Sequence, residues 1–397
     1  MKNIKKKSYG KEILRNISLL VFSSLLIIYM IEIALSLYHI SSYKHNKWQK
    51  RSRFEVYMEH KNSGEDAVVS ISPINFVSTI NNEDEIYPLS GISNKLTIQC
   101  NETGKHVRTY KSDRYGFTNP DKVWDKLHFD FVLIGDSYAH GECVHEKDTI
   151  AGQLRNKTDV LNLGYGGNGP LLEYATLREY FKNIKTKNVL WLYYDGNDLR
   201  EFKSELSNKV LINYLKDINF TQDLINRQKE IDLITSSALL QKLKKHQRKK
   251  NALFRFEEFD FKKVLFLQSI RHRLSWMFKI DLMHINLISS KEDKSNYLDE
   301  FSEILVQANN LVTKNNSRLY FVYLPGFPGI YTDGQRLQSY KKVINLVEKL
   351  NIPIIDLYKD LFSVHADSKS LFSGRIYGHY NEEGYRLVAE TILDKIN

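Results

Sequence analysis

Cysteine is nearly absent from this chain of 397 residues: there are two, Cys100 and Cys143. That is too few for a disulfide scaffold or a cysteine-based zinc framework. His106, His145 and His365 show no ligand spacing, so neither a metal nor a cofactor is expected. Seven prolines and 19 glycines exclude collagen-like and proline-rich architectures. No repeat of about 20–50 residues recurs, which argues against solenoids and propellers. What is present is ordinary globular composition, 42% hydrophobic and 26% charged, in a length that suits two domains or one large domain with an insertion.

The net charge of +10 is not spread over the chain. Residues 1–16 carry six basic groups and one acid, Glu12, for +5; residues 242–255 carry seven basic groups and no acid, for +7. The remainder sums to −2. A nucleic-acid footprint needs a broad basic face, so no nucleic-acid partner is expected.

Residues 17–38, ISLLVFSSLLIIYMIEIALSLY, hold one charge, Glu32. At about 1.5 Å per residue this run is long enough to cross roughly 30 Å of hydrocarbon. The expected reading is a basic cytoplasmic head (1–16) and an uncleaved transmembrane anchor (17–38). A signal peptide is the rival, with Ala34-Leu35-Ser36 as a weak cleavage site, although its apolar core is usually shorter. A buried core helix is the bland alternative. Basic residues flank both ends, including Lys44, Lys47, Lys50, Arg51 and Arg53 on the trailing side. The favoured orientation keeps the short N-terminus inside and translocates the large domain. With no other long apolar run, one span is the maximum.

Residues 39–128 are polar, with strand-like runs at 68–77 and 95–100, and take no assigned fold. From Phe129 the texture changes. FDFVLIG (129–135), DVLNLG (159–164), NVLWLYYDG (188–196), RLYFVYLPG (318–326) and IPIIDL (352–357) are continuous apolar runs ending in turn residues. Helical patterns separate them at 148–156, 169–184, 334–350 and 381–396. Such alternation predicts an α/β domain over 129–397, with a doubly wound parallel sheet covered on both faces. Residues 199–315 interrupt it with a mostly helical insertion. Its segment 224–250 reads as a solvated helix with a charged tip or, more sharply, as a lid or membrane-surface element.

Open parallel sheets bind ligands beyond the carboxyl ends of their strands. There the sequence places Gly135-Asp136-Ser137, then Asn162 to Gly169, then Gly196-Asn197-Asp198, and finally Gly378-His379-Tyr380-Asn381 before the last helix. Acyl transfer needs this set. Ser137 would attack, His379 would take and return its proton, and the Ser137 N–H, the Gly167 N–H and the Asn197 amide would form an oxyanion hole. Each part has a plainer reading. Ser137 suits a turn, and Gly164, Gly166 and Gly167 suit strand-to-helix bends. Asn197 and Asp198 suit a helix cap, and His379 a cap or surface site. His140 is a rival base within the turn after Ser137.

These blocks resemble the SGNH/GDSL hydrolase family, in its membrane-anchored bacterial form. Ser137 lies in GDS, Gly167 in the second block, Asn197 in GND and His379 in GHYNEEGY (378–385), in the family's order, over roughly residues 129–397. Ser112-Asp113-Arg114-Tyr115-Gly116-Phe117 resembles the lead-in of anchored members. The resemblance implies a flavodoxin-like SGNH fold and the catalytic and oxyanion roles given above. One position departs: the acid usually found three residues before the histidine is Ile376, followed by Tyr377. Either the pair is a Ser137–His379 dyad oriented by a backbone carbonyl, or Asp367 folds in from farther back. Cys100 and Cys143 form a disulfide if the domain is translocated and are buried thiols otherwise.

The expected function is a serine esterase or O-acyltransferase working through acyl-Ser137. Its expected substrate is an acylated envelope glycan or lipid-linked saccharide at the outer (periplasmic) face of a bacterial inner membrane. The alternatives are a non-catalytic SGNH-like glycan-binding or scaffolding domain, and a membrane-surface interaction protein acting through the basic insertion.

Overall fold

The structure is a computed structural model that describes residues 2–49, 52–100, 107–182, 184–196, 198–251, 264–278, 297–327, 334–375 and 378–396. They fall into two compact units, 1–50 with 247–292 and 51–246 with 293–397.

In the first unit, α1 (Lys2–Gln49) continues as one helix through the basic head, the apolar run and the trailing flank. Its stretch Arg15–Tyr38 has a mean hydropathy of 2.3 and is long and apolar enough to cross a membrane. Apolar side chains are exposed along most of it, among them Leu19, Phe22, Leu26 and Met30. A helix this apolar, with most of its length exposed, is not packed as the core helix of a soluble domain.

The second unit opens with α2 (Arg53–Asn62), started by a capping box in which Ser52 and Glu55 each bond the other's backbone N–H. β1 (Ala67–Val69), β2 (Leu96–Cys100) and β3 (Arg108–Lys111) then form a small mixed sheet. The large sheet is built from β4 (His128–Gly135), β5 (Val160–Asn162), β6 (Lys185–Tyr194), β7 (Arg318–Leu324) and β8 (Ile354–Asp356). Among the described residues it has five strands, all parallel, in the order β5-β4-β6-β7-β8. This is the flavodoxin-like order, whose switch point lies between the first and third strands, here β4 and β6. The helices between are α3 (Ser137–His140), α4 (Ile150–Arg155), α5 (Pro170–Tyr180), α6 (Asp198–Leu206), α7 (Lys209–Lys216) and α8 (Gln228–Asn251). α9 (Gln268–Phe278) belongs to the first unit. α10 (Leu298–Lys314), α11 (Gly334–Lys349) and α12 (Glu382–Ile396) complete the second.

The continuous apolar strands are buried on both faces, as parallel strands must be. Val132, Ile134, Trp191, Tyr193 and Phe321 face one core. Their neighbours Phe131, Leu133, Leu190, Leu192 and Val322 face the other. α5 and α10 cover the first core; α4 and α12 cover the second.

The segment 39–128 does not stand apart. Val69, Ile71, Phe76, Tyr87, Leu89, Ile98 and Phe117 share the first core with Val132 and Trp191, and the compact unit begins at residue 51 rather than 129. Three strands of three to five residues are too small to bury a face of their own. Only the start of the strand-like run 68–77 is a strand, because Pro73 supplies no ladder N–H and opens a 3-10 turn (Pro73–Phe76). The early part of the predicted insertion is also core. α6 and α7 bury Phe202, Val210, Leu211 and Tyr214, so only residues 247–292 leave this unit.

Candidate active site

β4 ends at Gly135, and Asp136 caps the short helix that follows by accepting the Tyr138 N–H at 2.9 Å. That turn lifts Ser137 to the carboxyl end of the sheet. Ser137 is the one partly exposed residue between 131 and 141, and Gly167 is the one between 160 and 177. The two loops therefore open to solvent at the two residues to which the sequence assigns attack and oxyanion binding. Gly167 has φ +80°, a conformation that a side chain strains.

His379 arrives from the other end of the chain. Its Nε2 lies 2.8 Å from Ser137 Oγ, the distance at which a base takes a hydroxyl proton. The block GHYNEEGY explains how the ring is held. Tyr138 donates its hydroxyl to the Gly378 carbonyl (3.0 Å) and packs against the His379 ring at 5.0 Å. Buried Tyr380 donates to the Pro325 carbonyl (2.6 Å). Asn381 caps α12 through the Gly384 N–H (2.9 Å) and ties back to the Ser370 carbonyl (2.7 Å). The neighbour of the nucleophile thus seats the base.

The glycine block is fastened to the nucleophile turn. Asn162 donates to the Ala139 carbonyl (2.7 Å) and accepts from Gly164 N–H (2.9 Å). Asn119 bonds both the N–H and the C=O of Asn162 (3.0 and 2.9 Å) and also donates to buried Asp113 (2.8 Å). The SDRYGF lead-in is therefore a brace for the second block. Burial raises the Asp113 carboxyl to about 6, although it accepts from Trp124, Asn119, Phe117 and Tyr115.

Other expectations divide. Cys100 and Cys143 form a disulfide, with Cα atoms 5.1 Å apart, and Cys143 Sγ lies 3.5 Å from His379 Nδ1. Asp367, offered as the orienting acid, is paired with an arginine. Its two oxygens take the Arg375 guanidinium at 2.8 and 3.2 Å, and Arg375 draws its carboxyl below the ordinary range. His140, the rival base, is enclosed. It is fully buried, Nδ1 accepts the Gly166 N–H (3.2 Å), Nε2 meets the Tyr110 hydroxyl (3.2 Å), and the ring stacks on Tyr165. Asn197, Ile376 and Tyr377 lie outside the described residues. Among the described residues no three His, Cys, Asp or Glu side chains converge as a metal would require.

Sequence reading missed Glu142. One carboxylate oxygen is 3.9 Å from His379 Nε2 and the other 3.8 Å from His140 Nδ1. Burial raises its carboxyl, but the contact with His140 and the charges of His379 and Arg53 outweigh that and leave it below the ordinary range. Glu142 is therefore an anion beside the base. Nothing in GDSYAHGEC marks it, because its relation to His379 spans 237 positions of sequence.

Four further carboxyls, Asp136, Glu173, Asp198 and Glu205, are buried behind the rim. Burial holds all four above the ordinary range, with Glu205 at about 8. Glu205 caps α5 across space, accepting from Gly169, Leu171 and Leu172 N–H at 2.6, 3.0 and 3.3 Å. Asp198 accepts the Tyr194 N–H (2.8 Å) and ties the start of α6 to the end of β6.

No protein-family model matches the chain. No curated protein sequence matches it either. Among solved structures it is similar to a protein assigned to the lipolytic G-D-S-L family from Desulfitobacterium hafniense DCB-2, at 13% identity and TM-score 0.35, over 67% of this chain and 98% of that one. It is likewise similar to a member of the lipolytic protein G-D-S-L family from Veillonella parvula DSM 2008, at 13% identity and TM-score 0.35, over 66% and 96%. The second unit has a flavodoxin-like parallel α/β fold, with the serine, glycine and histidine blocks that resemble those of SGNH/GDSL hydrolases at the carboxyl-end rim of its sheet.

Proposed function

We propose that this chain is a membrane-anchored serine esterase or O-acyltransferase that works through acyl-Ser137, on an acylated envelope carbohydrate or lipid-linked sugar. The observation that carries the reading is the 2.8 Å contact between Ser137 Oγ and His379 Nε2 on the solvent-open rim of the sheet. His379 takes the hydroxyl proton as Ser137 Oγ bonds to the ester carbonyl carbon. In this reading the Ser137 and Gly167 N–H groups stabilise the tetrahedral oxyanion, with the Asn197 amide as the third donor that the sequence offers. Collapse expels the alcohol, which leaves with the proton from His379. Water resolves the acyl-serine in hydrolysis; a sugar hydroxyl resolves it in transfer. Glu142 offsets the charge that His379 gains in each half-reaction. The apolar length of α1 supports anchoring, and the basic head supports a short N-terminus inside with the second unit outside.

Labelling of the full chain by a fluorophosphonate, beside Ser137→Ala and His379→Ala, tests this. Labelling at Ser137 that depends on His379 is expected. A folded protein that neither labels nor turns over an acetyl ester overturns the enzyme reading in favour of a non-catalytic glycan-binding domain.

A further inference from the structure

Glu32 is the only charge in the apolar run 17–38. Its neighbours in α1 are open, with Ile31 48% and Ile33 40% exposed, yet Glu32 is 0% exposed. What covers it is the start of α9. The two Glu32 oxygens accept the Ser269 and Ile270 N–H groups, each at 2.8 Å. One turn along the same face, Ser36 Oγ meets Ser269 Oγ at 3.0 Å, and Glu32 also accepts from Ser36 (3.4 Å). One turn the other way, Tyr29 donates to the Leu265 carbonyl (3.2 Å). Positions 29, 32 and 36 make one stripe of a helix, so α9 is attached along a line.

The chemistry of that attachment fits hydrocarbon. A lone carboxylate in a membrane span is expensive. So is a helix N-terminus there, whose first N–H groups have no partner and no water. Each cancels the other's cost, and the positive end of the α9 dipole faces the anion. Glu32 lies six residues before Tyr38, about 9 Å from the end of the span, inside the hydrocarbon and nearer its edge than its centre, which lies about 15 Å deep. At 11 residues, or about 16 Å, α9 is too short to cross. Its sequence QSIRHRLSWMF mixes Arg271, Arg273 and Trp276 with apolar residues, as elements at a lipid headgroup layer do. Leu265 (61%) and Leu274 (36%) are exposed.

We propose that residues 264–278 are a second membrane-embedded element. They form a short helix at the bilayer interface, its N-terminus pinned by Glu32 and its open face turned to lipid. The proposal rests on α1 spanning the membrane.

The test uses the full chain in phosphatidylethanolamine/phosphatidylglycerol vesicles. Leu25→Cys and Leu274→Cys are each labelled with an environment-sensitive fluorophore; the Cys100–Cys143 disulfide takes up no thiol reagent. Lipids carry a spin-label quencher near the headgroup or near the chain end. Position 25 should lose emission to the deep quencher and position 274 to the shallow one. Adding Glu32→Ala should abolish quenching at 274 and leave it at 25. Quenching at 25 without quenching at 274 overturns the proposal and leaves the anchor standing. No quenching at 25 overturns the anchor and the proposal together. Quenching at 274 that survives Glu32→Ala overturns the role of Glu32.

Discussion

Sγ of Cys143 lies 3.5 Å from Nδ1 of His379, on the edge of the imidazole opposite Ser137. In Ser-His-Asp enzymes that edge faces the orienting acid; here a disulfide sulfur packs against it. Arg108 holds the same loop, donating to the Cys143 carbonyl (3.3 Å) and to Glu382 in the first turn of α12 (3.0 Å). The disulfide thus joins the end of β2 to the loop that follows the nucleophile, and its Cys143 sulfur packs on the base.

Replacing both cysteines by serine should therefore act twice. Stability should fall by about 4 kcal/mol in the loop-entropy account, read as a lower denaturant midpoint. At a temperature where the variant remains folded, fluorophosphonate labelling should slow by about 10–100-fold, the scale of a small misplacement of a catalytic group. Unchanged labelling in the folded variant would show that the sulfur does not position His379.

Ser137→Ala should abolish turnover while leaving the melting temperature nearly unchanged, since Ser137 is partly exposed and packs little. His379→Ala should lower the labelling rate by about 10²–10⁴-fold, the contribution of a general base. Equal labelling of wild type and His379→Ala would remove His379 from the mechanism.

Glu142→Gln should lower kcat and move the acidic limb of the pH–rate profile to lower pH. The sign follows from charge: an anion 3.9 Å from Nε2 favours protonated His379, and its removal lets the base lose its proton sooner. Gly166→Ala should reproduce this, because a Cβ there lands on Glu142 Oε1 and displaces it. A pH profile that moves in neither variant would make Glu142 structural.

Glu205 gives the fold a pH dependence of its own. Folded, it keeps its proton up to about pH 8; unfolded, it ionises at about 4.3. Between those values the folded state binds more protons, so its stabilising contribution is full below the lower value and is lost as pH rises through about 8. Glu205→Gln keeps an oxygen for the Gly169 N–H and has no proton to lose. Denaturant midpoints from about pH 5 to 9 should fall less steeply in the variant than in the wild type. Parallel curves would place the charge elsewhere.

The large sheet was legible because parallel strands buried on both faces write continuous apolar runs ending at turns, and each run from FDFVLIG to IPIIDL became a strand. Ser137 was legible because it directly follows such a run, and His379 because it stands just before the last helical pattern. The unit boundary at 51 was not, since segment 39–128 has no core of its own and its apolar residues match surfaces supplied later in the chain.

By itself, then, the sequence determined the strands, the long apolar run at 17–38 and the residues offered at the rim, because these follow from local pattern. Tertiary structure alone decided which groups meet: Cys143 and Glu142 rather than Asp367 beside His379, His140 locked under Tyr165, and Glu32 against the start of α9. Those pairings join residues far apart in sequence, and their energies depend on burial and distance, which a linear order of residues does not carry.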